Sequence, residues 1–251
     1  MKNDKNGTFN YKKIIHIIKS KLPRNLYLKL RALIYGKKKT ISQIGQDFWV
    51  FGEVFNEKQE GFFVEIGAAD GITLSNTFLL EKKYNWRGVC IEADPLQFRD
   101  LVRIRNNASC YNVCVDAEEK TVEFVSDGLF GGIVDSETDN KNANTRNTFK
   151  IETVKLLSIL KAVGAPKSID YLSIDIEGAE DRVLCDFPFH EYCFKSLTIE
   201  RPKEKLKQIL AVNDYILIKQ TGLDAFYIHK SFLDDYTKNM LCFWQKMSVS
   251  T

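Results

Sequence analysis

Five acids, Glu65, Glu92, Asp116, Asp175 and Glu200, each close a run of β-forming residues in this 251-residue chain. Carboxylates gathered at strand ends can grip a diol or take a proton from a weakly acidic hydroxyl. With neighbours they can also hold a cation that prefers oxygen ligands, such as Mg²⁺ or Mn²⁺. Helix N-termini favour acids through the macrodipole, which accounts for some of these positions but not for strands that all finish on an acid. Histidine, the commonest general base, is scarce: His16 lies in a basic leader, His190 precedes a strand and His229 ends the last one. Both later histidines are expected at the far edge of the sheet.

The elements that must carry these acids alternate from Thr40 onward. A helical stretch, ISQIGQDFWVFGEVF, leads into the first strand, GFFVEIGA. Helices are predicted at SNTFLLEKKY, with Ser75 or a neighbouring polar residue as a cap, and at PLQFRDLVRIR, with proline in its first turn. Strands are predicted at WRGVCIEAD, ASCYNVCVD, DYLSIDIEG and SLTIERP, and FKIETVKLLSILKAVG turns from strand to helix. TVEFVSD and GGIVDS read as an added hairpin or loop, DNKNANTRNT as a polar loop, and YILIKQTGLDAFYIHK as a terminal hairpin. Such alternation implies an α/β fold with a mainly parallel, seven-stranded sheet whose last strand is antiparallel. Ligands bind such sheets at the carboxyl ends of the strands, where the five acids fall.

The stretch FFVEIGAADG, Phe62 to Gly71, ends a strand in a loop of small residues. A dinucleotide fingerprint would need glycine at Ala69 and Ile72, so that pattern fails. The spacing ExGxxxG of Glu65, Gly67 and Gly71 matches the first motif of S-adenosylmethionine-dependent methyltransferases instead. Glu92 suits ribose hydroxyls in either cofactor class. The terminal hairpin discriminates, because these methyltransferases insert an antiparallel last strand.

SQIGQD, FFVEIGAADG, LSNTFLLEK, WRGVCIEADP and DYLSIDIEGAE, in that order, resemble the FkbM-type methyltransferases over residues 41–230. The resemblance implies a class I, Rossmann-like methyltransferase domain that O-methylates an acceptor, often a sugar in a natural product or surface glycan. For S-adenosylmethionine it implies a methionine side at Glu65, Gly67, Ala68, Asp70, Gly71, Ser75 and Asn76. Glu92 and Ala93 would take the ribose, and Asp116 the adenine amino group. Activation of the hydroxyl would fall to Asp175, Glu177, Glu200 and Asp224. Asp175 and Glu200 are the pair that could hold Mg²⁺ or Mn²⁺; metal-free catalysis with one carboxylate as base is the alternative. Other readings are an NAD-dependent oxidoreductase of similar fold and a non-catalytic membrane-associated scaffold.

Charge divides the chain in two. Residues 1–40 carry twelve Lys and Arg against Asp4 alone, although the formal net charge of the whole chain is only +3. This basic arm, with apolar pairs spaced for amphipathic helices around Pro23, suits an anionic membrane surface or packing against the body or a second copy. The domain at 41–251 is net acidic, which disfavours nucleic acid. Six cysteines without a CxxC read as reduced core residues. With no membrane-spanning run and no signal-peptide pattern, the expected place is the cytoplasm, peripheral at the inner face of the membrane.

Overall fold

The computed structural model describes residues 23–142 and 147–249. His16, most of the basic arm and part of the polar loop lie outside them. The chain enters through helix α1 (Arg24–Tyr35) and a short helix α2 (Gln46–Phe48), which runs on as a π-helical turn, Trp49–Val54. Alternating units follow: β1 (Phe62–Ile66), α3 (Phe78–Tyr84), β2 (Arg87–Ile91), α4 (Pro95–Ile104) and β3 (Ala108–Tyr111). An insertion holds β4 (Cys114–Val115), β5 (Thr121–Val125), β6 (Gly132–Ile133) and β7 (Thr148–Val154). The fold is completed by α5 (Leu156–Ala162), β8 (Ser168–Ile174), α6 (Glu180–Leu184), β9 (Cys193–Glu200), α7 (Glu204–Val212), β10 (Tyr215–Thr221), β11 (Asp224–His229) and α8 (Leu233–Val249).

The main sheet has seven strands in the order β10-β11-β9-β8-β1-β2-β3. β9, β8, β1, β2 and β3 run parallel, and β11 inserts antiparallel between β9 and β10. Central strands are buried on both faces because helices cover both. Val64, Ile66, Val89, Ile91, Leu172 and Ile174 pack with Leu156, Leu160, Leu184 and Leu206 of α5, α6 and α7. Phe63, Cys90, Tyr171 and Phe226 pack on the other side with Trp49, Val54, Trp86 and Tyr236. The two-residue period along β1 therefore assigns Glu65 to the face of Phe63.

Three features depart from the sequence reading. The stretch ASCYNVCVD is two strands in different sheets, since the chain leaves the main sheet after Tyr111. Asn112 pins that exit by donating from Nδ2 to the carbonyls of Glu92 (2.8 Å) and Ala93 (3.0 Å). The supposed hairpin insertion is a second sheet, β4-β7-β5-β6. Helix α8 is the third departure; its Phe243 ring lies where a side chain on Gly52 would sit, 2.6 Å from a Cβ placed there. Among the described residues no helix is long and apolar enough to cross a membrane. The six cysteines are unpaired, but of them only Cys90 and Cys114 are buried; Cys110, Cys185 and Cys193 are half-buried and Cys242 is exposed.

Candidate active site

At the carboxyl ends of β1, β2, β8 and β9 the main sheet and the insertion enclose a cleft of about 450 Å³, a volume typical of small-molecule sites. The loop after β1 forms one wall. Its first amides are consumed internally: Gly67 and Ala68 donate to the carbonyl of Ile91 (both 3.0 Å) and Ala69 donates to Glu92 Oε2 (2.7 Å). The loop thus offers a ligand its shape rather than those donors.

Glu65 anchors this wall from behind. Its carboxylate accepts from Ser75 Oγ (3.0 Å), Asn76 N (2.7 Å), Thr77 Oγ1 (2.7 Å) and the buried guanidinium of Arg105 (3.1 Å). Arg105 is paired in turn with Glu81 (2.6 Å), so a buried charge network sits under the loop. Ser75 Oγ also accepts from the amides of Thr77 and Phe78, although the N-cap position of α3 is the neighbouring Thr77. Asn76 donates to Ser173 Oγ (2.8 Å), while its buried Oδ1 has no protein partner. That oxygen is a free acceptor in a residue that lines the cleft.

Glu92, at the end of β2, takes one hydrogen bond on each oxygen, from Asp94 N and Ala69 N (both 2.7 Å). Burial outweighs these bonds and pushes its carboxyl up to about 7. Each oxygen keeps a second lone pair that can accept from a ligand hydroxyl. Ala93 lines the cleft beside it.

Opposite stand the acids of β8 and β9. One carboxyl oxygen each from Asp175, Glu177 and Glu200 lies within 4.8 Å of the other two. Burial and the adjacent Glu200 raise the Asp175 carboxyl well above the usual range, because two close carboxylates cannot both ionise cheaply. Arg201 closes the cluster, meeting Glu200 (2.8 Å), Glu177 (2.9 Å) and Asp139. The backbone is left-handed at Glu177 (φ 56°) and at Arg201 (φ 43°), an uncommon conformation for such residues. Glu180 does not join the acids, since it accepts from the amides of Ile176 and Gly178. The three clustered acids have the donor chemistry of an Mg²⁺ or Mn²⁺ site, but Arg201 already supplies the cation between Glu177 and Glu200. As arranged, the site does not fit a metal.

Four expected site residues do not line the cleft. Asp70 turns back onto its own loop, accepting from the amides of Ile72 (3.0 Å) and Thr73 (2.7 Å) and from Arg31 (2.6 Å). Gly71 faces Leu101 and Arg105, where a Cβ would come within 2.9 Å; its glycine serves packing and a turn. Asp116 ends β4 of the small sheet, not the third main-sheet strand, and pairs with Lys120 (3.3 Å) and Arg182 (3.7 Å). Asp224, opposite Glu200 in the register of β11 and β9, is held by Gln46 Nε2 at 3.1 Å. His190 and His229 are also absent from the cleft lining.

Residues overlooked in the sequence stand in the lining instead: Gln43, Arg201, Leu129, Phe130 and Leu223. The tip Gly128–Gly132 meets the acids, since a Cβ on Gly132 would lie 3.4 Å from that of Glu177. Leu223 accepts from the amide of Arg201 at 2.8 Å. Phe130 (67% exposed) and Leu223 (56% exposed) therefore form an apolar rim beside the carboxylates. The available signal was local: apolar residues set beside glycines, in GLFGG and TGLD.

A sheet in this order, with one antiparallel strand inserted and a cleft at the carboxyl ends, is the class I methyltransferase fold. The family model of the methyltransferase FkbM domain matches residues 65–205, and the chain belongs to that family. No curated protein matches the chain. Among solved structures it is similar to the N-terminal domain of human METTL16 in complex with SAH. There the identity is 12%, the TM-score 0.45, and 90% of this chain and 86% of that chain are covered. It is also similar to Aeropyrum pernix fibrillarin with natively bound S-adenosyl-L-methionine, at 13% identity, 74% coverage of each chain and a TM-score of 0.43.

Proposed function

We propose that this chain binds S-adenosylmethionine in the cleft and methylates a sugar hydroxyl, with the Asp175–Glu200 pair as the base. The observation that carries this reading is the pair itself, half-buried in the cleft of an FkbM methyltransferase and sharing its lining with Glu65, Asn76 and Glu92. The residues fit the cofactor. Glu92 has acceptor capacity for a ribose diol, and the unpartnered Asn76 Oδ1 can accept from an ammonium group. When bound, S-adenosylmethionine supplies an electrophilic methyl on a sulfonium.

The chain's own residues then hold the acceptor and move its proton. A sugar hydroxyl is a weak acid, so the forming oxygen–carbon bond requires its proton to leave. Asp175 and Glu200, with carboxyl oxygens within 4.8 Å of each other, are the groups placed to accept it. Arg201 balances the remaining negative charge without an added metal ion. Phe130 and Leu223 suit the apolar face of a sugar ring. Family membership sets aside the NAD-dependent oxidoreductase.

Calorimetry against S-adenosylhomocysteine and NAD tests the cofactor, and methyl transfer to a panel of nucleotide sugars and glycans tests the acceptor. Heat with NAD alone, or methylation of amines but no hydroxyl, would sink the reading.

A further inference from the structure

Helix α1 is docked onto the body next to the cleft. Tyr27 and Leu28 are buried with Ile41, Ile72, Phe78 and Ile104, and Arg24 pairs with Asp100 at the start of the helix. From the same helix Arg31, only 7% exposed, reaches the loop after β1. Its Nη1 donates to Asp70 Oδ2 (2.6 Å) and its Nη2 to Thr73 Oγ1. Thr73 Oγ1 donates to the same Asp70 oxygen (2.7 Å), and Asp70 Oδ1 receives the amides of Ile72 (3.0 Å) and Thr73 (2.7 Å). Arg31, Asp70 and Thr73 form a closed triangle.

The loop needs that triangle. Ala69 (φ 47°) and Leu74 (φ 56°) are both left-handed without being glycine, and such conformations persist only where the surroundings over-determine them. Thr73, Leu74 and Ser75 line the cleft, so any relaxation of the turn moves the wall. Nothing else described reaches the Asp70 side chain with a positive charge at hydrogen-bonding distance. Without Arg31 a mostly buried carboxylate is left with backbone amides and a threonine alone.

We propose that Arg31 is a positioning residue for the cofactor wall, which makes the shape of the Asp70–Ser75 loop conditional on the docking of α1. The inference rests on the cofactor reading above for its ligand, and on the geometry alone for its loop. A charge-assisted hydrogen bond contributes about 1.5–3 kcal/mol, equivalent to a change of about ten- to a hundredfold in an equilibrium.

The test compares the full chain with Arg31→Met, Arg31→Lys and Asp70→Asn, by amide hydrogen exchange without ligand and by calorimetry with S-adenosylhomocysteine. In Arg31→Met the amides of Ile72 and Thr73 should exchange at least about tenfold faster, while those of Tyr171–Ile174 in β8 stay protected. S-adenosylhomocysteine affinity should fall about tenfold. Asp70→Asn should reproduce both effects, the double variant should be no worse than either single one, and Arg31→Lys should recover part of the loss. Unchanged exchange at Ile72 and Thr73, or uniform acceleration that includes β8, overturns the proposal. If the unaltered chain binds no S-adenosylhomocysteine, the cofactor reading fails, and the exchange comparison still decides the role of Arg31.

Discussion

The carbonyl oxygen of Asp175 occupies the space where a side chain on Gly67 would begin, 1.9 Å from an ideal Cβ. Gly67 is also left-handed, with φ 84°. The passage of β8's end, which carries the proposed base, is therefore enough to require the glycine of the first motif. Gly67→Ala should cost stability, by about 1–3 kcal/mol for overpacking with a further conformational penalty of about 1 kcal/mol. Thermal unfolding checks this; an unchanged midpoint would contradict the close approach. Loss of cofactor binding in such a variant cannot be assigned to cofactor contact.

Asp175→Asn and Glu200→Gln address the base without that ambiguity. Each should lower turnover by about 10²–10⁴, the usual worth of acid–base assistance, while S-adenosylhomocysteine affinity changes little. Activity should survive exhaustive chelation, because Arg201 fills the cation's place among the acids. Reversible loss with EDTA would show that a metal displaces Arg201 in the working enzyme.

Glu92 supplies a pH dependence with a definite sign. Its carboxyl is raised to about 7 in the folded chain, against an ordinary value of 4.5. The folded state therefore holds the proton more tightly, and this group's contribution to stability is lost as pH rises from 4.5 through 7. Cofactor hydroxyls donate to the ionised form, so S-adenosylhomocysteine affinity should rise between pH 6 and 8 and then level off. A carboxyl titration by NMR with a midpoint near 4.5, or a flat affinity profile, would refute the assignment.

Phe130→Ala and Leu223→Ala probe the acceptor side. An aromatic contact contributes about 0.5–1.5 kcal/mol beyond area burial, so the KM for the acceptor should rise roughly two- to tenfold with Phe130→Ala. S-adenosylhomocysteine affinity should stay constant in both. A matching loss of cofactor affinity would place the rim on the wrong side of the cleft.

The arm predicts binding to anionic vesicles at low salt. Arg24 and Arg31 are spent on Asp100 and Asp70, but Lys29 is exposed together with Leu26 and Leu33. Each basic residue near such a surface contributes about 1 kcal/mol. Co-sedimentation of the full chain should therefore weaken steeply with salt, and indifference to vesicles would leave the arm a packing element only.

The sequence by itself determined the sheet. Strands buried on both faces must be runs of apolar residues, caps and prolines mark helix starts, and a glycine turn announces the last hairpin. These are local signals, and β1, β2, β8, β9 and the β10–β11 pair follow them. It also determined that Asp175 and Glu200 would meet, because both end neighbouring parallel strands. Tertiary structure decided which other acids face the cleft. Asp70 and Asp224 look as competent as Glu92 until Arg31 and Gln46 arrive, the latter from 178 residues earlier in the chain. Asp116 is lost to the site because the chain changes sheets at Asn112. A carboxylate's role depends on which partner claims its lone pairs, and those partners come from segments that only folding brings together.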